Sequence, residues 1–218
     1  MRKLWPSMVA LALAAGFSLW AYPRLPGQVV THWGFDGEPN GWSSPIVAAL
    51  VLPVIAAALL MVFLVIPRID PRRESWELHG ATYWQMTNLV LCFVLCMHIL
   101  VLGSALGWKV SMSRMVPIAV GALFVVLGNF MPRMRPNWFM GIRTPWTLSS
   151  DEVWRRTHRI GGVCFMLAGV LIAVIGFARG TLAPIIIIAG AGVSVLMPIV
   201  YSWVLWRRSL PPTPGAER

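Results

Sequence analysis

The side chains of this 218-residue chain with obvious chemistry are four histidines, eight carboxylates and three cysteines. A zinc hydrolase asks for His-Glu-x-x-His on one helix, and that pattern is absent. Nucleophilic hydrolysis asks for a serine or cysteine beside a base. Cys164 lies six residues beyond His158 but deeper in an apolar run, so the spacing supports no such pair. A membrane-embedded metal-dependent hydrolase stays open only if His158, His79 and a carboxylate converge in space. The stretch Asp36-Gly-Glu38-Pro-Asn40-Gly41 matches the opening half of a calcium loop. The bidentate glutamate due at its twelfth position is Val47, so the stretch reads as a turn, with His32, Asp36 and Glu38 as weak metal candidates. No metal and no cofactor is expected, and the chain is not expected to be an enzyme.

The densest polar cluster lies between residues 129 and 159, where Asn129, Asn137, Arg143, Trp146, Trp154, Arg155, His158 and Arg159 fall together. Guanidiniums here suit phosphate headgroups on one reading, and a cytoplasmic partner or anionic ligand on the other. The prolines 132, 136 and 145 and Gly141 forbid a continuous helix, so 132–147 reads as an irregular segment at the membrane interface. Its backbone needs internal hydrogen bonds, for which Asn129, Asn137, Thr144 and Thr147 are the natural suppliers. Ser149-Ser-Asp-Glu152 fits a capping box, predicting a helix that carries Trp154, His158 and Gly162 on one face.

The elements that position these residues are apolar throughout. Apolar residues make up 57% and charged residues 12% of the chain, with a mean hydropathy of +0.70, unlike a soluble domain. Six runs near bilayer-crossing length occur at roughly 4–22, 45–66, 82–103, 115–131, 160–178 and 181–206. Lipid leaves backbone groups no outside partner, so the runs are helices and the fold class is an all-α, polytopic membrane bundle. With the N-terminus inside, the cytoplasmic flanks hold Arg2, Lys3, Arg68, Arg72, Arg73, Arg133, Arg135, Arg143, Arg155, Arg156, Arg159, Arg207, Arg208 and Arg218. The other flanks hold Arg24, Lys109, Arg114 and Arg179, so positive charge places both termini in the cytoplasm. The net charge of +10 follows from that bias and from anionic lipid, and no nucleic acid partner is implied.

Within that frame, residues 1–66 read as a two-helix unit whose loop, 23–44, caps the extracytoplasmic mouth and contains a short strand at 28–33. Residues 67–114 read as a linker helix, with Asp70 as N-cap and Pro71 at its first position, feeding the third span. Gln85, Thr87, Asn88 and His98 are polar groups in that span and are expected to face other helices, His98 and Asn88 being the intramembrane candidates for a role. Cys92 and Cys96 lie one turn apart and are expected to be buried packers, two thiols being too few for a metal. Residues 115–206 form a three-helix domain around loop 129–159, with glycines for close helix contact, and 207–218 a flexible tail.

The run Gly128-Asn129, Pro132-Arg-Met-Arg-Pro-Asn-Trp-Phe-Met-Gly-Ile-Arg-Thr-Pro-Trp-Thr-Leu-Ser149, then Val153-Trp-Arg-Arg-Thr-His158, resembles the signature of the SdpI-like family of bacterial immunity proteins. The stretch Leu25-Pro26, His32-Trp33, Gly37-Glu-Pro-Asn-Gly-Trp42 resembles the domain of unknown function that often precedes it. The resemblance implies a multi-pass protein of the bacterial inner membrane that protects against a secreted toxic peptide. It further implies a possible cytoplasmic transcriptional regulator as partner, with the lipid bilayer around it. On this reading His32, Trp33, Asp36, Glu38 and Asn40 face the peptide and the 129–159 cluster faces the cytoplasm. A small-solute or ion transporter is the alternative, motivated by Gln85, Asn88 and His98, though no span carries the acidic residue that proton-coupled carriers commonly use.

Overall fold

The computed structural model describes residues 4–34, 37–177 and 182–209, without the side chains of 73–79, 182 and 183. Seven α-helices occur among them: α1 (Trp5–Ala21), α2 (Pro45–Ile69), α3 (Arg73–Ala105), α4 (Met112–Phe130), α5 (Pro145–Ser149), α6 (Asp151–Ile175) and α7 (Leu182–Ser209). All but α5 belong to segments long and apolar enough to cross a membrane. They alternate in direction, so one end of the bundle carries Arg68, Arg72, Arg133, Arg135 and Arg143, hereafter the basic end. The span of 25 residues in α2 extends about 37 Å at the helical rise, enough to connect both ends.

The helices pack as two groups of three. α3 lies against α1 and α2, while α6 lies against α4 and α7, and α3 also meets α4. No water drives apolar helices together in lipid, so close approach and polar contacts must do it. On α1 the buried face is Ser7, Ala10, Ala14, Ser18 and Ala21, small residues at helical spacing. Antiparallel α4 and α6 meet through paired glycines. A Cβ on Gly128 would come within 2.6 Å of the Gly162 carbonyl oxygen, and one on Gly162 within 2.6 Å of the Gly128 oxygen. Gly121 and Gly169 repeat that relation one heptad on, with a Cβ on Gly169 reaching 2.5 Å from the Gly121 oxygen.

At the end opposite the basic one, loop 23–44 forms a hairpin of β1 (Val29–Trp33) and β2 (Pro39–Ser43). The strands are antiparallel, with Val29 opposite Ser43 and His32 opposite Gly41, and irregular register between Val30 and Trp33. The predicted strand is therefore present, but it has a partner built partly from the expected turn formers Pro39, Asn40 and Gly41. Val29 is buried with Ala21, Ala48 and Leu102, which seats the hairpin on α1, α2 and α3. Gly37 lies against Ser113 at the start of α4, so the hairpin also reaches the second group.

Several local expectations differ from the structure. α3 begins at Arg73, not Pro71, and Asp70 ends α2 as its C-cap. Cys92 and Cys96 are exposed on the outer face of α3 rather than buried, and Gln85 is exposed with them. A polar or thiol side chain can share a helix period with packed neighbours and still face outward, because spacing fixes a face but not what covers it. The side chain of His79, Arg179 and the 210–218 tail lie outside the described side chains and residues.

Candidate functional site: the tied loop at the basic end

Residues 131–150 cross the basic end with little regular structure: a 3-10 turn at Met131–Arg133, then an irregular stretch, then α5. Asn137, 1% exposed, holds its first part. Its Oδ1 accepts the amides of Phe139 at 2.9 Å and Met140 at 2.6 Å, and its Nδ2 donates to the Arg135 carbonyl at 3.0 Å. One buried carboxamide thus meets three backbone groups of an irregular segment that has no regular structure to pair them. Thr144 and Thr147 hold the second part. The Thr144 amide donates to Thr147 Oγ1 at 2.8 Å and the Thr147 amide to Thr144 Oγ1 at 3.2 Å, a reciprocal cap with Pro145 as first helical residue. Thr147 Oγ1 also donates to the Ile142 carbonyl at 3.0 Å.

The loop is fastened to helices on every side. Trp154 Nε1 donates to the Met134 carbonyl at 2.9 Å. His158 stacks on the Trp154 ring with centroids 4.0 Å apart, and its Nδ1 lies 2.9 Å from the Trp154 carbonyl. A carbonyl only accepts, so Nδ1 carries the proton and Nε2 accepts from the Ile142 amide at 3.0 Å. Both ring nitrogens are spent on backbone. Gly141 has φ of +98°, a conformation L side chains disfavour, and a Cβ there would collide with His158 Nε2. On the far side Trp146 Nε1 donates to Ser202 Oγ on α7.

Asp70, 1% exposed, brings the first helix group into the same network. Its Oδ1 accepts the Arg72 amide at 2.8 Å and its Oδ2 the Trp138 amide at 3.2 Å. Arg72 then donates to the Leu148 carbonyl at 2.8 Å and pairs with Asp151 at 3.3 Å. That ion pair is largely solvated and contributes at most about 1 kcal/mol, so the buried carboxylate is the stronger tie.

Each residue singled out in the cluster has a definite place. Asn137, Trp154 and His158 are buried, while Asn129, Arg143, Arg155 and Arg159 are exposed. His158 therefore cannot join the arginines in a surface, because it is 0% exposed and its polar atoms are used internally. Arg143 Nη1 donates to the Trp138 carbonyl at 2.6 Å. Glu152 does not close a capping box with Ser149; it pairs with Arg155 and Arg156. Ser150 caps α6, accepting the Val153 amide at 3.3 Å, and Ser149 instead donates to the Trp146 carbonyl at 3.1 Å. α5 ends at Ser149, and that shifts the next helix start by one residue.

The intramembrane candidates also join helices. His98 Nε2 is 2.8 Å from Ser18 Oγ, which lies 2.7 Å from the Ala49 carbonyl and 2.9 Å from that of Ala14. With two carbonyls competing for the hydroxyl proton, Nε2–H donates to Ser18, linking α1, α2 and α3. Asn88 Oδ1 accepts the Ser7 amide at 3.2 Å and also pairs with the Ser7 hydroxyl. In the hairpin, His32 Nδ1 meets Asn40 Oδ1 at 2.5 Å, Trp33 and Glu38 flank the turn, and Asp36 lies outside the described residues. Among the described residues no three His, Cys, Asp or Glu side chains gather as a metal site.

Asp70, Gly141, Ser7, Ser18 and Ser202 are the members of these networks that motif reasoning missed. The small-residue spacing on α1 was a signal for the two serines; Asp70 and Ser202 have partners 68 and 56 residues away, which no local pattern shows.

Residues 133–202, from the loop through α5 and α6 into α7, match the SdpI/YfhL protein family. Residues 9–57 match a domain of unknown function, DUF1648, which covers most of α1, the hairpin and the first half of α2. Immunity protein SdpI of Bacillus subtilis (strain 168) is 25% identical over 202 residues, 93% of each chain. No solved structure matches the chain. With its six apolar helices, this SdpI-like chain is a multi-pass cell-membrane protein. The Asn137, Trp154–His158 and Trp146–Ser202 contacts all lie inside the segment similar to the SdpI/YfhL family, whereas Asp70 lies between the two matched segments.

Proposed function

We propose that the protein is an immunity-type membrane protein that protects its cell from a secreted toxic peptide and passes the peptide's presence to a cytoplasmic regulator. The similarity to an immunity protein along nearly the whole of both chains carries the protective part of this reading. The positive flanks support a cytoplasmic basic end and an extracytoplasmic hairpin. For the relay, the supporting observation is Asp70. α2 starts just after β2 at Pro45 and ends on the loop amide of Trp138, so one helix spans the distance from the hairpin to the tied loop. A peptide that shifts the hairpin and α2 disturbs the buried carboxylate at the other end, and frees loop backbone beside the already exposed arginines for a regulator. The network has no need of catalysis, since both nitrogens of His158 are engaged by backbone.

The test is survival of a toxin-sensitive bacterial host challenged with peptides secreted by the source strain and its neighbours. Expression of the wild-type protein is expected to raise the lethal dose, and Asp70→Ala to keep protection while abolishing toxin-dependent capture of a regulator on the membrane. Unchanged killing by every such peptide, with the protein present in the membrane, eliminates the immunity reading. Equal regulator capture by wild type and Asp70→Ala eliminates the relay through Asp70.

A further inference from the structure

Beneath the tied loop the helices leave a cavity of roughly 420 Å³, a volume suited to a small ligand or one chain of a larger one. Met86 of α3, Met131 and Met134 beside the loop, Phe165 of α6 and Ile199 of α7 form its wall. Methionine side chains adapt their shape to flexible apolar guests. The cavity has a single charged lining residue, Arg143. One guanidinium nitrogen, Nη1, is held by the Trp138 carbonyl, and no carboxylate among the described residues pairs with it. A guanidinium offers five N–H donors, so most of its capacity for a paired anion is unspent.

We propose that this cavity holds an acyl chain of an anionic phospholipid, with the headgroup phosphate on Arg143. The two halves of the site need each other. A free anion would satisfy the guanidinium and leave the methionine wall empty, while a neutral hydrocarbon would fill the wall and leave the cation unmatched. An anionic amphiphile fits both, and the site lies where the bilayer supplies one: Phe165 and Ile199 belong to membrane spans and Arg143 to the basic end. The second basic hollow of the protein, around Arg155, Arg156, Arg159 and Tyr201, lacks such a wall, and two of its arginines are engaged by Glu152. Because Gly141 and Ile142 line the cavity and are fixed by His158, the lipid would sit against the same backbone that the tied loop protects. This assignment is independent of what the protein confers immunity to.

Native mass spectrometry of the full-length, delipidated protein tests it, with phosphatidylglycerol, phosphatidylcholine of identical chains, and glycerol 3-phosphate as probes. Wild type is expected to hold phosphatidylglycerol about tenfold more tightly than phosphatidylcholine, and Arg143→Gln to erase most of that preference. Met86→Trp and, as a second filling variant, Ile199→Phe are expected to weaken both lipids, while Arg159→Gln behaves as wild type. Unfolding curves select the variants that fold. Equal affinity for the two lipids, preference surviving in Arg143→Gln, or both folded filling variants binding as wild type overturns the proposal. Glycerol 3-phosphate binding as tightly as the lipid overturns it too, making Arg143 a site for a free anion.

Discussion

Asp70 Oδ2 accepts the backbone amide of Trp138 at 3.2 Å, joining the end of α2 to a loop 68 residues further along the chain. The same carboxylate accepts the Arg72 amide through its other oxygen. Both hydrogen bonds are partly buried, and Asp70 itself is nearly inaccessible. Replacing Asp70 by alanine is therefore expected to destabilise the protein by about 2–4 kcal/mol, near the loss of two hydrogen bonds to a charged acceptor. Asp70→Asn keeps one acceptor oxygen and should fall between wild type and alanine. Thermal unfolding in mild detergent measures the order, and limited proteolysis should find the 134–143 segment cleaved faster in Asp70→Ala. An alanine variant as stable and as resistant as wild type shows that the tie is dispensable.

Gly141 and His158 form a second coupled pair, because the space a Cβ would need at 141 is filled by Nε2. Gly141→Ala combines that collision with a positive φ, for a cost of about 2–4 kcal/mol. His158→Ala alone loses the Ile142 acceptor and the ring stacked on Trp154, with a cost of similar size. The double variant removes the collision, so its loss should be at least 1 kcal/mol smaller than the two single losses combined. Additive losses in a double-mutant cycle of denaturant unfolding would falsify the steric coupling.

How much of this was readable in advance depends on the range of the interaction that decides it. The six spans follow from run length, and the irregular 132–147 segment from its prolines, since both are local properties. The capping pattern predicts the start of α6 within one residue, at Ser149 rather than Ser150, because either serine can cap and only the end of α5 decides between them. Asp70 next to Pro71 carries a local helix-start pattern, yet its oxygens serve a distant amide, so tertiary contact overrode the motif. In the cluster, residue type marked Asn137, Trp154 and His158 as unusual, but not that they point inward while Asn129 and Arg159 point out. That distinction comes from which neighbour covers each face of α4 and α6 and from how the loop between them folds over Asn137. The candidate lipid cavity had no local signature, because its walls come from four helices and the loop.

The exposed thiols of α3 provide a check on that outward face. Cys92 and Cys96 are at mid-span and open to the surroundings of the bundle, which in a membrane is hydrocarbon. Maleimides add to the thiolate, which forms only where water reaches, so a charged, water-borne maleimide is expected to label neither in intact membranes and both once the protein is unfolded in SDS. Because the thiols pack against little, Cys92→Ala and Cys96→Ala should each change stability by less than about 0.5 kcal/mol. Labelling by the charged reagent in intact membranes would instead mean that this face of α3 meets water.

The paired glycines between α4 and α6 make the sharpest stability prediction, because the chain contains its own controls. A Cβ on Gly128 meets the Gly162 carbonyl oxygen and Met166, all within 2.9 Å, so neither neighbour backbone can yield without separating the helices. Gly192 on α7 has nothing within 4 Å of the same position. Gly128→Ala and Gly162→Ala should each cost about 1–3 kcal/mol through overpacking. Gly192→Ala should be neutral or stabilising by up to about 1 kcal/mol, since alanine is the better helix former where space is open. The comparison is made by unfolding in a series of detergent mixtures, with all three variants at equal expression. If Gly128→Ala and Gly192→Ala unfold together, the helices do not touch at their backbones. The close α4–α6 contact would then be absent at the point where residues 133–202 are held to the helix before them.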